Sequence, residues 1–154
     1  MATISEIVEY EPYLCNCKAT VRDVIKQLAD TNVRGVPIVD DAGKLVGYIS
    51  DTDILKYIAK HRPRYFDWGD MMPIVVDEDP MTEKIQSLLE VPVLEIARKR
   101  KVSVEADWEI DELASLFHEE KMKKIAVVDD DGKVIGVVSR SALIRYLLTE
   151  IALE

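Results

Sequence analysis

The chain has 154 residues, 48% of them hydrophobic, with 20 basic and 29 acidic side chains and a net charge of −9. That length suits one compact unit with a real core; the acidic balance argues against nucleic acid or an anionic membrane as the main partner, since neutralising phosphates needs a clustered basic face and only Arg98 to Lys101 forms such a run. Residues 1–11 lack the apolar core of an export signal and no window approaches the roughly 20 apolar residues of a membrane span, so a soluble, cytoplasmic protein is expected.

Residues 4–8 read as a short lead-in helix and 13–17 as a first strand. Cys15 and Cys17, two apart in that strand, share a face. With only His61 and His118 besides, they fall short of the four ligands of a closed zinc site, so buried strand cysteine is the expected role and no metal is predicted. Thr20, with Asp23 three positions on, opens a helix over 21–31 through the acidic form of the capping box, and that helix ends near Asn32. Strands follow over 36–39 and 45–49 around the turn Asp40-Asp41-Ala42-Gly43-Lys44, whose Asp and Gly residues suit a tight reversal. Ser50 opens a helix over 51–60, and Pro63 stops anything beyond His61.

Residues 61–92 depart from this pattern. They hold Tyr65, Phe66 and Trp68, then Asp77 to Asp79, Pro80 and a short helix over 82–89. The aromatics either pack back on the protein or meet a partner, and packing is the expectation because exposed aromatic clusters are uncommon on monomers. A second lead-in covers 93–99, followed by a strand over 102–104, a helix over 110–121, strands over 125–128 and 134–138, and a helix over 141–150. In that last segment Leu143, Ile144, Leu147, Leu148 and Ile151 cover more than one buried stripe requires, which predicts an interface.

The two halves say the same thing. VPIVDDAGKLVGYISDTDIL at residues 36–55 returns 89 residues later as IAVVDDDGKVIGVVSRSALI. Without a gap, Val39, Asp40, Gly43, Lys44, Gly47 and Ser50 recur as Val128, Asp129, Gly132, Lys133, Gly136 and Ser139. Upstream, Val21, Val24, Leu28 and Val33 match Ile110, Leu113, Phe117 and Met122, so the unit is about fifty residues. Two such units are expected to share one core. Strand, helix, hairpin and helix with this second half resemble the cystathionine-beta-synthase (CBS) domain, and two in tandem resemble the Bateman module, over residues 4–60 and about 93–152. The resemblance implies an α+β fold of two β-α-β-β-α repeats packed about a pseudo-two-fold axis, with repeat 1 in 1–62, a connecting insertion in 63–92 and repeat 2 in 93–154.

Ser50 and Asp53 form Ser-x-x-Asp at a strand-to-helix corner. Read from the residues alone, this is a capping box that needs no ligand. The matching helix, however, begins Ser139-Arg140-Ser141-Ala142, without the acid. In the family that the chain resembles, the motif is the adenosine-nucleotide signature, with the carboxylate on the ribose hydroxyls and the hydroxyl near phosphate. The chemistry agrees: vicinal hydroxyls donate to a carboxylate, and unpaired amides at a helix start suit an anion.

Carried over by position, the resemblance gives a cleft at Ser50 and Asp53, flanked by Tyr48, Ile49 and Thr52. The other repeat completes it with Ala97 and Val102 against the base and Lys123, Lys124 and Ile125 nearby. The two lysines either neutralise phosphate or form a solvated pair balancing Glu119 and Glu120. The mirror cleft takes Tyr13, Arg34, Gly35, Val36 and Pro37 with Ser139 and Arg140. There Asp53 has become Ala142 and Pro37 has its counterpart in Ala126, so this cleft is expected to be weaker, empty or differently specific.

No nucleophile and base converge in the pattern, so no enzyme is expected. The resemblance implies a regulatory module that binds AMP, ADP, ATP or S-adenosylmethionine as a ligand and requires no cofactor. It also implies a homodimer that signals to an effector protein the sequence does not name. The alternative is a dimerisation or scaffold module whose clefts are vestigial.

Overall fold

The computed structural model describes residues 2–60, 65–66, 74–75 and 81–152. A 3-10 turn at Ile4–Glu6 leads into β1 (Glu9–Tyr10), β2 (Cys15–Asn16), α1 (Val21–Thr31), β3 (Gly35–Val39), β4 (Leu45–Ser50) and α2 (Asp51–Lys60). The connecting stretch contributes β5 (Tyr65–Phe66), β6 (Ile74–Val75) and α3 (Met81–Leu89). Then come α4 (Val93–Ile96), β7 (Ser103–Glu105), α5 (Ile110–Glu120), β8 (Lys124–Val128), β9 (Val134–Ser139) and α6 (Arg140–Tyr146), which runs on as a π-helical segment, Leu147–Ala152.

The α+β class and the two repeats are as expected. One sheet has the order β2-β3-β4 and the other β1-β9-β8-β7. In each repeat the first strand runs parallel to the second and the hairpin is antiparallel. The turns explain their own residues. Asp40 Oδ1 accepts from the amides of Ala42 and Lys44, both at 2.9 Å, and Asp129 Oδ1 repeats this with Asp131 and Lys133 at 2.9 and 3.0 Å. Gly43 and Gly132 close the turns at φ 83, where a side chain is strained. The α1 start is the expected capping box: Asp23 Oδ2 accepts from the Thr20 amide at 3.0 Å and hydroxyl at 3.2 Å.

The single core expected from sequence is two. One gathers Val21, Val24, Val36, Ile38, Ile49 and Ile54 of repeat 1. The other gathers Val104, Leu113, Phe117, Ile125, Val127 and Leu143 of repeat 2. Each is completed by the opposite lead-in: Val93 is fully buried in the first core and Ile4 in the second. Burying a side chain of this size contributes about 1.5–3 kcal/mol, so each lead-in is a substantial part of the other repeat's stability.

Backbone bonds repeat the exchange at the constant offset. The Ile4 amide donates to Trp108 at 2.9 Å and the Val93 amide to Ala19 at 3.0 Å. Past these points each lead-in crosses a hairpin. Glu9 and Tyr10 pair with Val137 and Gly136, and Arg98 exchanges two 2.8 Å backbone bonds with Tyr48. The recurring second glycine of the hairpin answers to this crossing. A Cβ on Gly47 would lie 2.6 Å from the Arg98 carbonyl oxygen, and one on Gly136 would lie 2.8 Å from that of Glu9.

Several expected boundaries move for physical reasons. The lead-in helix over 4–8 stops at Glu6 because the chain must extend to pair as β1. The strand over 13–17 contracts to Cys15–Asn16, since the Leu14 carbonyl is turned to accept from Gln27 Nε2 at 3.1 Å. The strand over 102–104 starts at Ser103 because the Val102 carbonyl accepts from the Tyr48 hydroxyl. In the last helix Thr149 Oγ1 donates back to the Arg145 carbonyl at 2.8 Å, a competing bond where the α ladder has widened to π. The side chains of Tyr65 and Phe66, and all of Trp68, lie outside the described residues, as do Pro63 and Asp77 to Pro80.

Gly47→Ala and Gly136→Ala are each expected to destabilise by about 1–3 kcal/mol in urea unfolding, because a backbone carbonyl oxygen stands in the way at both, joined at Gly136 by Val8 Cγ1. Parent-like stability in either variant would contradict the crossing.

Candidate functional site

At the end of β4, Ser50 faces Gly35 across the hairpin, and the Asp51 amide donates to the Arg34 carbonyl at 2.9 Å. Asp53 Oδ2 accepts from the Ser50 amide at 3.0 Å and from its hydroxyl at 3.1 Å, while the Asp53 amide approaches Ser50 Oγ at 3.4 Å. The box closes as Thr20 and Asp23 close theirs, with one oxygen of the carboxylate. Among the described residues nothing donates to Oδ1 of Asp53, so the cap leaves one oxygen of a half-buried carboxylate available. Ile49 is fully buried in the core of repeat 1, and Thr52 is exposed, its amide donating to Asp51 Oδ1 at 2.7 Å.

Repeat 2 builds the same corner without the acid. Ser139 Oγ accepts from the Ala142 amide at 3.0 Å, Lys124 faces Ser139, and the Arg140 amide donates to the Lys123 carbonyl at 2.8 Å. Arg34 and Gly35 on one side, and Lys123 and Lys124 on the other, therefore each stand at the helix start of their own repeat.

Tyr48 joins the repeats. Its ring is buried, its hydroxyl donates to the Val102 carbonyl, and the Ala126 amide donates to its Oη at 2.9 Å. The hydroxyl thus bridges the residue before β7 and the middle of β8. Burial pushes its pKa up to about 12, so it stays a proton donor at any ordinary pH. The mirror position carries Val137, which has no hydroxyl, and Pro37, which has no amide hydrogen. The change from proline to Ala126 supplies the N–H that Tyr48 uses. Of the other assigned residues, Val36, Pro37 and Ile125 are buried, Ala97 packs on the core of repeat 1, and Tyr13 is half exposed.

Sequence reading missed the clamp beside Tyr48. Arg98 and Arg100, alternate residues of the crossing segment, both reach Glu120 Oε2, at 2.9 and 2.8 Å, and the Glu120 side chain is only 10% exposed. The basic run over 98–101 was the visible signal. A cavity of about 280 Å³, lined by Asp40, Lys44, Val46, Lys101, Ser103 and Val128 among others, opens at the turn end of the hairpin, opposite to Ser50. It shares no residue with either expected cleft.

Cys15 is buried and its thiol is pushed up to about 11, first by burial, then by Asp23 and Cys17. Among the described residues no three His, Cys, Asp or Glu side chains gather as a metal site, and no helix is long and apolar enough to cross a membrane.

Two βαββα units with exchanged lead-ins and a helix-capping Ser at the end of each hairpin define a tandem-repeat α+β architecture. The family model for the CBS domain matches residues 4–60 and 93–149, and the chain belongs to the CBS domain family. It is 31% identical over 137 residues to the uncharacterized protein MJ1426 of Methanocaldococcus jannaschii, covering 82% of this chain and 80% of that one. It is 27% identical to the chloroplastic CBS domain-containing protein CBSX1 of Arabidopsis thaliana, covering 84% of this chain and 56% of CBSX1, a little over half its length. Among solved structures, CBSX2 in complex with AMP superposes with a TM-score of 0.73 at 22% identity, covering 97% and 98% of the two chains. The CBS domain pair of MJ0100, in complex with 5′-methylthioadenosine and S-adenosyl-L-methionine, gives 0.71 at 22%, covering 95% and 99%.

Tyr48→Phe keeps the ring and strands a buried amide and carbonyl, so unfolding free energy is expected to fall by about 1–3 kcal/mol in urea. Unchanged stability would mean that water replaces the hydroxyl. Iodoacetamide at pH 8 is expected to label Cys17 and spare Cys15 in the folded protein, read by peptide mass spectrometry.

Proposed function

We propose that this chain is a regulatory CBS pair that binds an adenosine-type ligand at the Ser50–Asp53 corner and passes its occupancy to a partner protein. The observation that carries the reading is the second oxygen of Asp53. The cap uses Oδ2 alone, and repeat 2 makes the same helix with Ala142, so the cap does not need the second oxygen of Asp53, which suits ribose hydroxyls. Related folds with AMP, or with 5′-methylthioadenosine and S-adenosylmethionine, support this ligand class. No catalytic role is assigned.

Asp51 and Asp53 put negative charge into the first turn of α2. Each further phosphate meets repulsion there, so AMP or an uncharged adenosine derivative fits this corner better than ATP.

The reading also includes a two-fold dimer. Leu55 of α2 and Ile144 of α6 hold equivalent places in the two repeats and are 63% and 52% exposed, with Leu148 at 54% extending the patch. A self-complementary pairing of this surface closes without leaving apolar area for further growth. A scaffold module with vestigial clefts is the second reading, and the same patch favours it.

AMP at a hundredfold excess over its dissociation constant is expected to stabilise the fold by about 2.7 kcal/mol, seen as a raised melting temperature. Asp53→Ala is expected to remove most of that shift and to cost the free protein at most about 2 kcal/mol through its cap. Binding as tight as the parent's would make Asp53 a cap alone. Ile144→Glu with Leu148→Glu is expected to give a folded monomer by light scattering; a parent that is already monomeric would end the dimer proposal.

A further inference from the structure

The turns of the two hairpins brace each other. The Val134 amide donates to the Gly43 carbonyl at 3.0 Å, and Lys44 lies opposite Lys133 in an antiparallel bridge. Beside this brace opens the cavity of about 280 Å³, just below the roughly 300 Å³ at which ligand pockets usually begin, which suits a molecule of amino-acid size. Repeat 1 lines it with Asp40, Lys44 and Val46, and repeat 2 with Lys101, Ser103 and Val128, so an occupant touches both repeats at once.

The constant offset separates what the turn requires from what it does not. Asp40 and Lys44 recur as Asp129 and Lys133, and belong to the hairpin. Lys101 and Ser103 do not recur: their counterparts are Pro12 and Leu14. The same segment therefore folds in repeat 1 without a cation or a hydroxyl at these places. Among the described residues neither Lys44 nor Lys101 is ion-paired, and nothing bonds to Ser103 Oγ. Asp40 Oδ1 accepts from the amides of Ala42 and Lys44, both at 2.9 Å, which leaves Oδ2 without a donor among the same residues.

We propose that this cavity is a site for a small α-amino acid with an apolar side chain. Lys44, Lys101 and the Ser103 hydroxyl donate to its carboxylate, Oδ2 of Asp40 accepts from its ammonium group, and Val46 and Val128 take its hydrocarbon. A phosphate fits less well. The lining residues belong to strands and turns, so no helix start aims its amides here, and two separate lysines offer point charges where a phosphate favours the fork of an arginine. The site is separate from the Ser50–Asp53 corner and stands or falls independently of it.

The test is calorimetry of the full chain with leucine and with two analogues that each lack one charged group, isocaproate without the amine and isoamylamine without the carboxylate. Leucine is expected to bind most tightly, isocaproate more weakly and isoamylamine not at all. Lys101→Met is expected to weaken leucine and isocaproate alike by about tenfold or more, the order of one charged hydrogen bond. Asp40→Asn keeps Oδ1 for the turn amides and is expected to weaken leucine alone, down to the level of isocaproate. Ser103→Leu places the counterpart's side chain in the cavity and is expected to abolish binding with a parent-like melting temperature. No heat with millimolar leucine, equal leucine binding by the parent and by both Lys101→Met and Ser103→Leu, or isoamylamine binding as tightly as leucine would overturn the proposal. Isocaproate binding more tightly than leucine would overturn the assignment to amino acids. Adenosine binding, measured on the same variants, is expected to be unchanged and reports on Asp53 alone.

Discussion

Everything in this fold depends on the crossing of two lead-in segments. Neither repeat has a complete core of its own: Ile4 belongs to repeat 2 in space and Val93 to repeat 1. Each segment leaves its buried anchor, passes a hairpin at a glycine, and only then enters the sheet of its own repeat. The passage is tight enough that Gly47 and Gly136 have no room for a methyl group. The contacts around Tyr48 are arranged by this exchange. Val102 is held against Tyr48 because the segment that carries it has just paired, at Arg98, with the Tyr48 backbone.

Much of the fold was legible because local chemistry repeats. The Asp and Gly of each turn do the same work in both hairpins, and the stripe from Val21 to Leu28 returns as Ile110 to Phe117. The exchange itself was not legible. A pairing of Glu9 with Val137 joins a two-residue strand to β9 across nearly the whole chain, and so short a strand leaves no periodicity to read. Its trace was the second recurring glycine. The strand ends were misjudged at Leu14 and Val102 for one reason: a side chain, Gln27 or Tyr48, takes the carbonyl that a ladder would otherwise use.

The site was legible in part. Ser50 and Asp53 stood out by spacing, and the structure adds that their cap spends one carboxylate oxygen. Tyr48 lay in view inside the same motif, but its meaning needed a second difference between repeats. Tyr48 with Ala126 and Val137 with Pro37 are two matched pairs, one with a hydroxyl and an amide that donates to it, the other with no hydroxyl and no N–H at the proline. The clamp on Glu120 was hidden because its three members are distributed over a crossing strand and a helix end. What emerges is a symmetric backbone with unsymmetric chemistry, locked on one side by a hydroxyl.

If the exchange of lead-ins is what makes the protein, the two repeats unfold together. Native-state hydrogen exchange on the central strands β3 and β8 measures this directly. The account predicts that the slowest amides of both strands, around Ile38 and Val127, open with the same free energy, equal to that of global unfolding. Markedly earlier opening of either strand, with the other still protected, would show two independent domains and contradict it.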